Sequence, residues 1–225
     1  MTVAPTEIAP PLLRNGDVMD RHEFERRWNE MPNLKRAQLI KGVVHIMSPV
    51  GNRHAVAHSI LGGWGFVWAL ATPGVQSQIA PSTILDDDNE PQPDFSLRIE
   101  SPVHGRTQIA NDRTVGGPEL VAEIAVTTVA TDMNDKRDIY QQHGIPEYII
   151  WRVEDQEIDW FVLRDTGYER LTLDANGILK SEVFPGLWLD PAAMIAGNAA
   201  QVHSVLQHGI ATTEHADFVT RLQTP

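Results

Sequence analysis

An apolar run from Leu120 to Val126, interrupted only by Glu123, most tightly limits what this chain can fold into. Such a run, with almost no polar alternation, reads as a central strand covered on both faces. A helix-like stretch from Asp132 to His143 follows, with Asp132 as its cap, Gly144 as its stop and Pro146 beyond. Tyr148 to Val153 then forms a second apolar run. A helix between two such strands is long enough for a right-handed crossover, so the pair is expected to be parallel. The other connections are short and read as antiparallel. The expected fold is therefore α/β, a mixed sheet flanked by helices.

The remaining segments arrange themselves around that unit. Residues 1–19, rich in proline, read as a flexible arm. Asp20 and Glu23 resemble a capping box ahead of a helix bearing Phe24, Trp28 and Met31. Lys41-Gly42 reads as a hairpin turn, and His54 to Leu70 as a long helix weakened by three glycines. Short strands are expected at 75–80 and 83–85, a strand carrying Asp94 at 92–99, and a strand pair at 148–153 and 158–163. Thr166-Gly167 and Asn176-Gly177 mark further hairpin turns. One domain over residues 20–197, followed by a helical C-terminal tail at 198–225, accounts for the chain.

Composition sets outer limits. With 225 residues, 42% hydrophobic and 21% charged, the chain can bury a full core. No stretch approaches the roughly 18 apolar residues of a membrane helix, and Met1 to Pro11 lacks the pattern of a secretory leader. The absence of cysteine excludes disulfides and thiolate metal sites. A cytoplasmic protein with no membrane partner is expected. The net charge of −12 opposes tight, non-specific binding to a phosphate polymer, which depends on clustered Lys and Arg.

Three residues carry the chemistry. Glu123 is a carboxylate among Val121, Ala122, Ile124 and Ala125, and an unpaired charge buried there would be costly. It has to meet a cation, find a basic partner or take up a proton. Asp94, after Pro93 on a neighbouring strand, can share a hard divalent ion with it, since Mg²⁺ favours oxygen ligands. Lys136, from the following helix, can position a water or offset charge on a phosphate. A structural ion pair between Glu123 and Lys136 is the plainer alternative. His54 and His58 have the helical spacing of a zinc pair, but no third ligand is evident in the sequence. The acidic run Asp86–Glu90 reads as a solvated loop, and the tryptophans as core.

The segments QLIKG at 38–42, PQPD at 91–94, GPELVAEI at 117–124 and KRDIYQQHGIPEY at 136–148 resemble the Uma family of predicted restriction endonucleases, in the same order over roughly residues 20 to 190. That family is assigned to the PD-(D/E)XK nuclease superfamily. The resemblance implies a restriction-endonuclease-like core, Mg²⁺ (or Mn²⁺) as cofactor, DNA as substrate and a homodimer as one expected assembly. It implies Asp94 and Glu123 as metal ligands and Lys136 as the catalytic lysine, because Ala125 stands where the superfamily usually has lysine. Gln38, His54 and Tyr140 fall at accessory positions. The family commonly carries acids in its first hairpin, where this chain has Gln38, Lys41 and Val43. The expected function is a divalent-metal-dependent endonuclease. The alternative is a weak or inactive relative acting as a binding or scaffold module.

Overall fold

The computed structural model describes residues 11–224. Helix α1 (Arg21–Asn29) starts at Asp20, whose side chain accepts from the Glu23 amide at 2.9 Å. Strands β1 (Ala37–Ile40) and β2 (Val43–Ile46) form a separate two-stranded hairpin. Its turn residues Lys41 and Gly42 both have positive φ, of 51° and 74°, as the tight hairpin geometry requires. Helix α2 (Asn52–Leu70) is followed by β3 (Val75–Ile79), β4 (Thr83–Ile84) and β5 (Phe95–Ile99). The polar connection that follows contains two further short strands, β6 (Gln108–Ala110) and β7 (Arg113–Val115).

Strand β8 (Leu120–Ala125) is buried along its whole length. A π-helical segment, Thr131–Lys136, runs directly into α3 (Arg137–Gln142). Asp132 is thus not the cap that its sequence position suggests, because Ala130 before it is already helical. Strands β9 (Glu147–Arg152), β10 (Glu157–Arg164) and β11 (Gly167–Arg170) follow, then the short pair β12 (Leu179–Lys180) and β13 (Trp188–Leu189). Helices α4 (Pro191–Ile195), α5 (Ala199–Ile210) and α6 (Thr213–Leu222) close the chain.

The main sheet has six strands in the order β11-β10-β9-β8-β5-β3. Strands β8 and β9 are parallel, Glu123 facing Ile150 in register, and the other neighbours are antiparallel. This is the mixed sheet expected from the two apolar runs. One face is covered by α2, through Leu61, Trp64 and Trp68 against Phe95, Leu97, Ala122 and Ile124. The other is covered by α3, through Ile139 and Tyr140 against Val121, Ala125, Tyr148 and Ile150. The α2 glycines that weaken helix propensity serve this packing. A Cβ on Gly65 would lie 2.2 Å from Phe95 Cζ, so only glycine allows the helix to approach so closely.

Both ends of the described residues pack against this body. Of the expected N-terminal arm, residues 1–10 lie outside the described residues, while Leu13 is buried beside Phe24, Ala37 and Leu39. In the expected tail, Val202, Leu206 and Phe218 enter the same core as α2.

Candidate metal centre and cleft

Glu123 sits in the middle of β8, with its side chain only 3% exposed. Its Oε2 lies 2.9 Å from Lys136 Nζ, and its Oε1 accepts from the Tyr140 hydroxyl at 2.8 Å. Lys136 also lies 3.2 Å from Asp132 Oδ1, while Thr128 Oγ1 donates to Asp132 Oδ2 at 2.6 Å. Asp132 and Lys136, four apart, pair with one another, and Lys136 and Tyr140, four apart again, meet Glu123 from one side of the helical segment. The π-helical turn holds the first two. Such local widening of a helix often accompanies functional residues.

Burial is the main cause that pushes the Glu123 carboxyl up, to about 8, with the nearby Asp132 and Asp94 charges adding to it against Lys136. Burial also opposes the Lys136 ammonium, but Glu123 and Asp132 outweigh it and hold it above the ordinary lysine range. Each shift carries the mark of the same close approach, that of Lys136 Nζ to Glu123 Oε2. The contact with Lys136, the plainer reading of Glu123, is present at 2.9 Å.

Asp94 stands just ahead of β5, one residue outside the strand that the sequence led us to expect it in. The β5–β8 ladder pairs Phe95 with Ala122 and Ser96 with Val121, so one further step sets Asp94 across from Glu123. Asp94 Oδ2 accepts from the Ile124 amide at 2.8 Å and lies 3.2 Å from His54 Nε2. Arg36 approaches Asp94 Oδ1 at 3.6 Å. Burial alone would push the Asp94 carboxyl up, but His54, the Ile124 amide and Lys136 outweigh it and hold it below the usual carboxylate range.

A cleft of about 650 Å³ opens over this end of the sheet. Arg36, Gln38 and His45 line it from the first hairpin, His54 from α2, and Thr128 and Asp132 from the segment after β8. Gln38 is buried, its Oε1 accepting from the Gln92 amide at 3.3 Å. Burial and the Lys136 charge hold His45 below the ordinary histidine range, so it presents a neutral imidazole. Sequence reasoning took Asp132 only as a helix cap and missed Arg36 and His45 as members of this neighbourhood. Only the four-residue step from Asp132 to Lys136 could have signalled the first.

The donor set suits a hard cation. Asp94, Glu123 and Asp132 supply carboxylate oxygens within one charge-coupled cluster, and Asp132 Oδ1 is buried without a hydrogen bond. Carboxylate oxygens are the ligand type that Mg²⁺ and Mn²⁺ take.

The model of the Uma2 family, described as "Putative restriction endonuclease", matches residues 21–192. The chain belongs to the Uma2 family. The matched segment takes in Gln38, His54, Asp94, Glu123, Lys136 and Tyr140 alike. Among solved structures, the fold is similar to that of a protein from Anabaena variabilis ATCC 29413 titled a putative nuclease belonging to DUF820. The TM-score is 0.52 at 14% identity, over 71% of this chain and 90% of the other. At that identity the likeness speaks to the nuclease fold. No curated protein matches the chain.

Proposed function

We propose that this Uma2 protein is a divalent-metal-dependent endonuclease that hydrolyses DNA phosphodiester bonds in the cleft. The observation that carries this reading is the gathering of Glu123, Lys136 and Asp132 into one buried cluster, with Asp94 across the ladder from Glu123. Asp94 and Glu123 would hold Mg²⁺ (or Mn²⁺), with Asp132 beside them. A bound divalent ion polarises a phosphate oxygen and lowers the pKa of a coordinated water. Lys136, kept charged, supplies positive potential where charge develops on the phosphate. Tyr140, by donating to Glu123 Oε1, fixes the orientation of that carboxylate. Arg36 and Arg53 bring two cationic side chains to the cleft lining despite the net charge of −12, which supports local rather than extended DNA contact.

A cytoplasmic setting and a homodimer complete the proposal. Among the described residues no helix is long and apolar enough to cross a membrane. Strand β3 is an edge of the main sheet with Ile79 exposed, and it is the surface we assign to a second copy.

One observation favours a second reading, a binding or scaffold module. Gln38 stands in the cleft wall where the resembling sequences place an acid, and both Glu123 oxygens are already engaged. Cleavage of double-stranded, single-stranded and branched DNA, with and without Mg²⁺ or Mn²⁺, decides between the two. The nuclease reading expects divalent-dependent cleavage by the wild type and none by Asp94→Ala. Wild-type protein that neither cleaves any of these DNAs nor binds either ion by calorimetry would leave only the module.

A further inference from the structure

We infer that His54, His58 and Asp94 form a binding site for a borderline transition-metal ion such as Zn²⁺ or Co²⁺, set apart from the carboxylate centre by its two imidazoles. His54 and His58 lie one turn apart on α2 and so share a face. Their rings stand edge to face, with centroids 5.6 Å apart. Asp94, distant in sequence, is brought between them: His54 Nε2 lies 3.2 Å from its Oδ2, and His58 Nε2 lies 2.7 Å from its carbonyl oxygen. One ligand atom from each of the three residues falls within 4.8 Å of the others.

Two imidazoles and one carboxylate, with positions left open, are a recurrent set for zinc and related ions. Bonds of roughly 2.0–2.2 Å place ligand atoms about 3–4 Å apart, so small rotations about the side-chain bonds close the present spacing. His54 Nδ1 is buried and makes no hydrogen bond among the described residues, so one ring nitrogen of the pair lacks a protein partner. A neutral imidazole keeps one lone pair, and coordination would replace a hydrogen bond to Asp94 with a metal bond. The setting is uneven in polarity. His54 faces the polar cleft, while His58 faces an apolar cleft of about 510 Å³ lined by Val50, Phe66, Ile79 and Phe95. Imidazole donors set this site apart from one for Mg²⁺, which prefers oxygen. Asp94 is common to both, so an ion held by the histidines competes with Mg²⁺ for that carboxylate.

Co²⁺ titration of the full chain, followed by visible ligand-field absorption and by calorimetry, tests the site independently of any cleavage. The wild type should bind one Co²⁺, displaced by Zn²⁺. His58→Gln, which retains a hydrogen-bond donor for the Asp94 carbonyl, should weaken binding by about tenfold or more, since even loss of an outer-shell partner costs that much. His203→Gln, on the exposed side of α5, should bind as the wild type does. Thermal unfolding of the ion-free variants establishes that they are folded, and His54→Gln provides the second reading should His58→Gln unfold. Absence of Co²⁺ binding by the wild type, or equal affinity in folded His58→Gln and wild type, overturns the proposal. Mg²⁺-dependent cleavage, measured separately, reports on the nuclease reading alone.

Discussion

Lys136 Nζ lies 2.9 Å from Glu123 Oε2 in surroundings that leave each side chain less than a twentieth exposed. Three carboxylates, from Glu123, Asp132 and Asp94, act on that single ammonium. The two partners are consequently unequal. Removing the lysine strands buried acids, whereas neutralising Glu123 leaves the ammonium with Asp132.

The asymmetry is measurable. Lys136→Met should cost about 3–5 kcal/mol, the usual consequence of leaving a buried charge without its partner. Glu123→Gln should unfold at or above the wild-type temperature and still lose cleavage and Mn²⁺ affinity. Chemical denaturation of both variants, read beside Mn²⁺ calorimetry, checks the contrast. A Glu123→Gln protein that is strongly destabilised while binding Mn²⁺ normally would make Glu123 a structural residue only.

Burial raises the Glu123 carboxyl from an ordinary 4.5 to about 8 in the folded chain. The folded state therefore binds this proton more tightly than the unfolded one. Its stabilising contribution is complete below about 4.5 and is lost as pH rises through about 8. In the absence of metal, wild-type stability should fall relative to Glu123→Gln across that window. Coordination needs the carboxylate, so Mg²⁺ and Mn²⁺ affinity should climb over the upper part of the same window. Parallel stability curves for the two proteins, or a metal affinity insensitive to pH there, would contradict the assignment.

Gln38 lines the cleft with one side of its amide already bonded to the Gln92 backbone. Gln38→Glu should tighten Mn²⁺ binding several-fold. A charge pair at ~4 Å gains ~4 kcal/mol at an effective dielectric near 20, before desolvation reduces it. In an Asp94→Ala background the same change should gain little, because a principal ligand is missing. Identical titrations of Gln38→Glu and wild type would place Gln38 beyond the ion's reach.

Gly65 and Gly63 give a paired test of how α2 supports the site. A Cβ at Gly65 would collide with the Phe95 ring, while one at Gly63 meets nothing within 4 Å. Gly65→Ala should destabilise by about 1–3 kcal/mol and, by displacing Phe95, disturb the adjacent Asp94. Gly63→Ala should stabilise by up to about 1 kcal/mol through helix propensity. Melting temperatures that move in the same direction for both would mean α2 is not held against the sheet as described.

The parallel pair β8–β9 was legible because burial on both faces forces a continuous apolar run, and the intervening stretch had the length of a crossover. The first hairpin was legible from Lys41-Gly42, since few dipeptides accept two positive φ values in succession. Asp132 was misread for a physical reason. An acid at the edge of a polar segment looks like a cap, and nothing in local composition marks a π-helical turn that begins inside an existing helix. Strands β6 and β7 were missed because three residues each, joined at Asn111-Asp112 with φ of 50° and 61°, leave no alternation to detect. His54 and His58 could be paired by spacing alone, but their third partner, Asp94, is supplied by the fold.

The first hairpin belongs to its own sheet, yet it furnishes one wall of the cleft through Arg36, Gln38 and His45. It is tied to the loop before β5 by the Leu39–Glu90 bridge and the Lys41 amide bond to Asn89. It reaches the opposite wall through Lys41 Nζ, at 2.9 Å from Asp135 and 3.3 Å from Asp138. The roots, Leu39 and Ile40, are buried, while the lysine and its two acids lie in solvent. Solvated ion pairs weaken once the Debye length falls to about 10 Å at 0.1 M salt. This wall of the cleft is thus fastened in two unlike ways, at its root by buried packing that salt does not touch and at its tip by charges exposed to the same counterions that loosen a protein's grip on DNA.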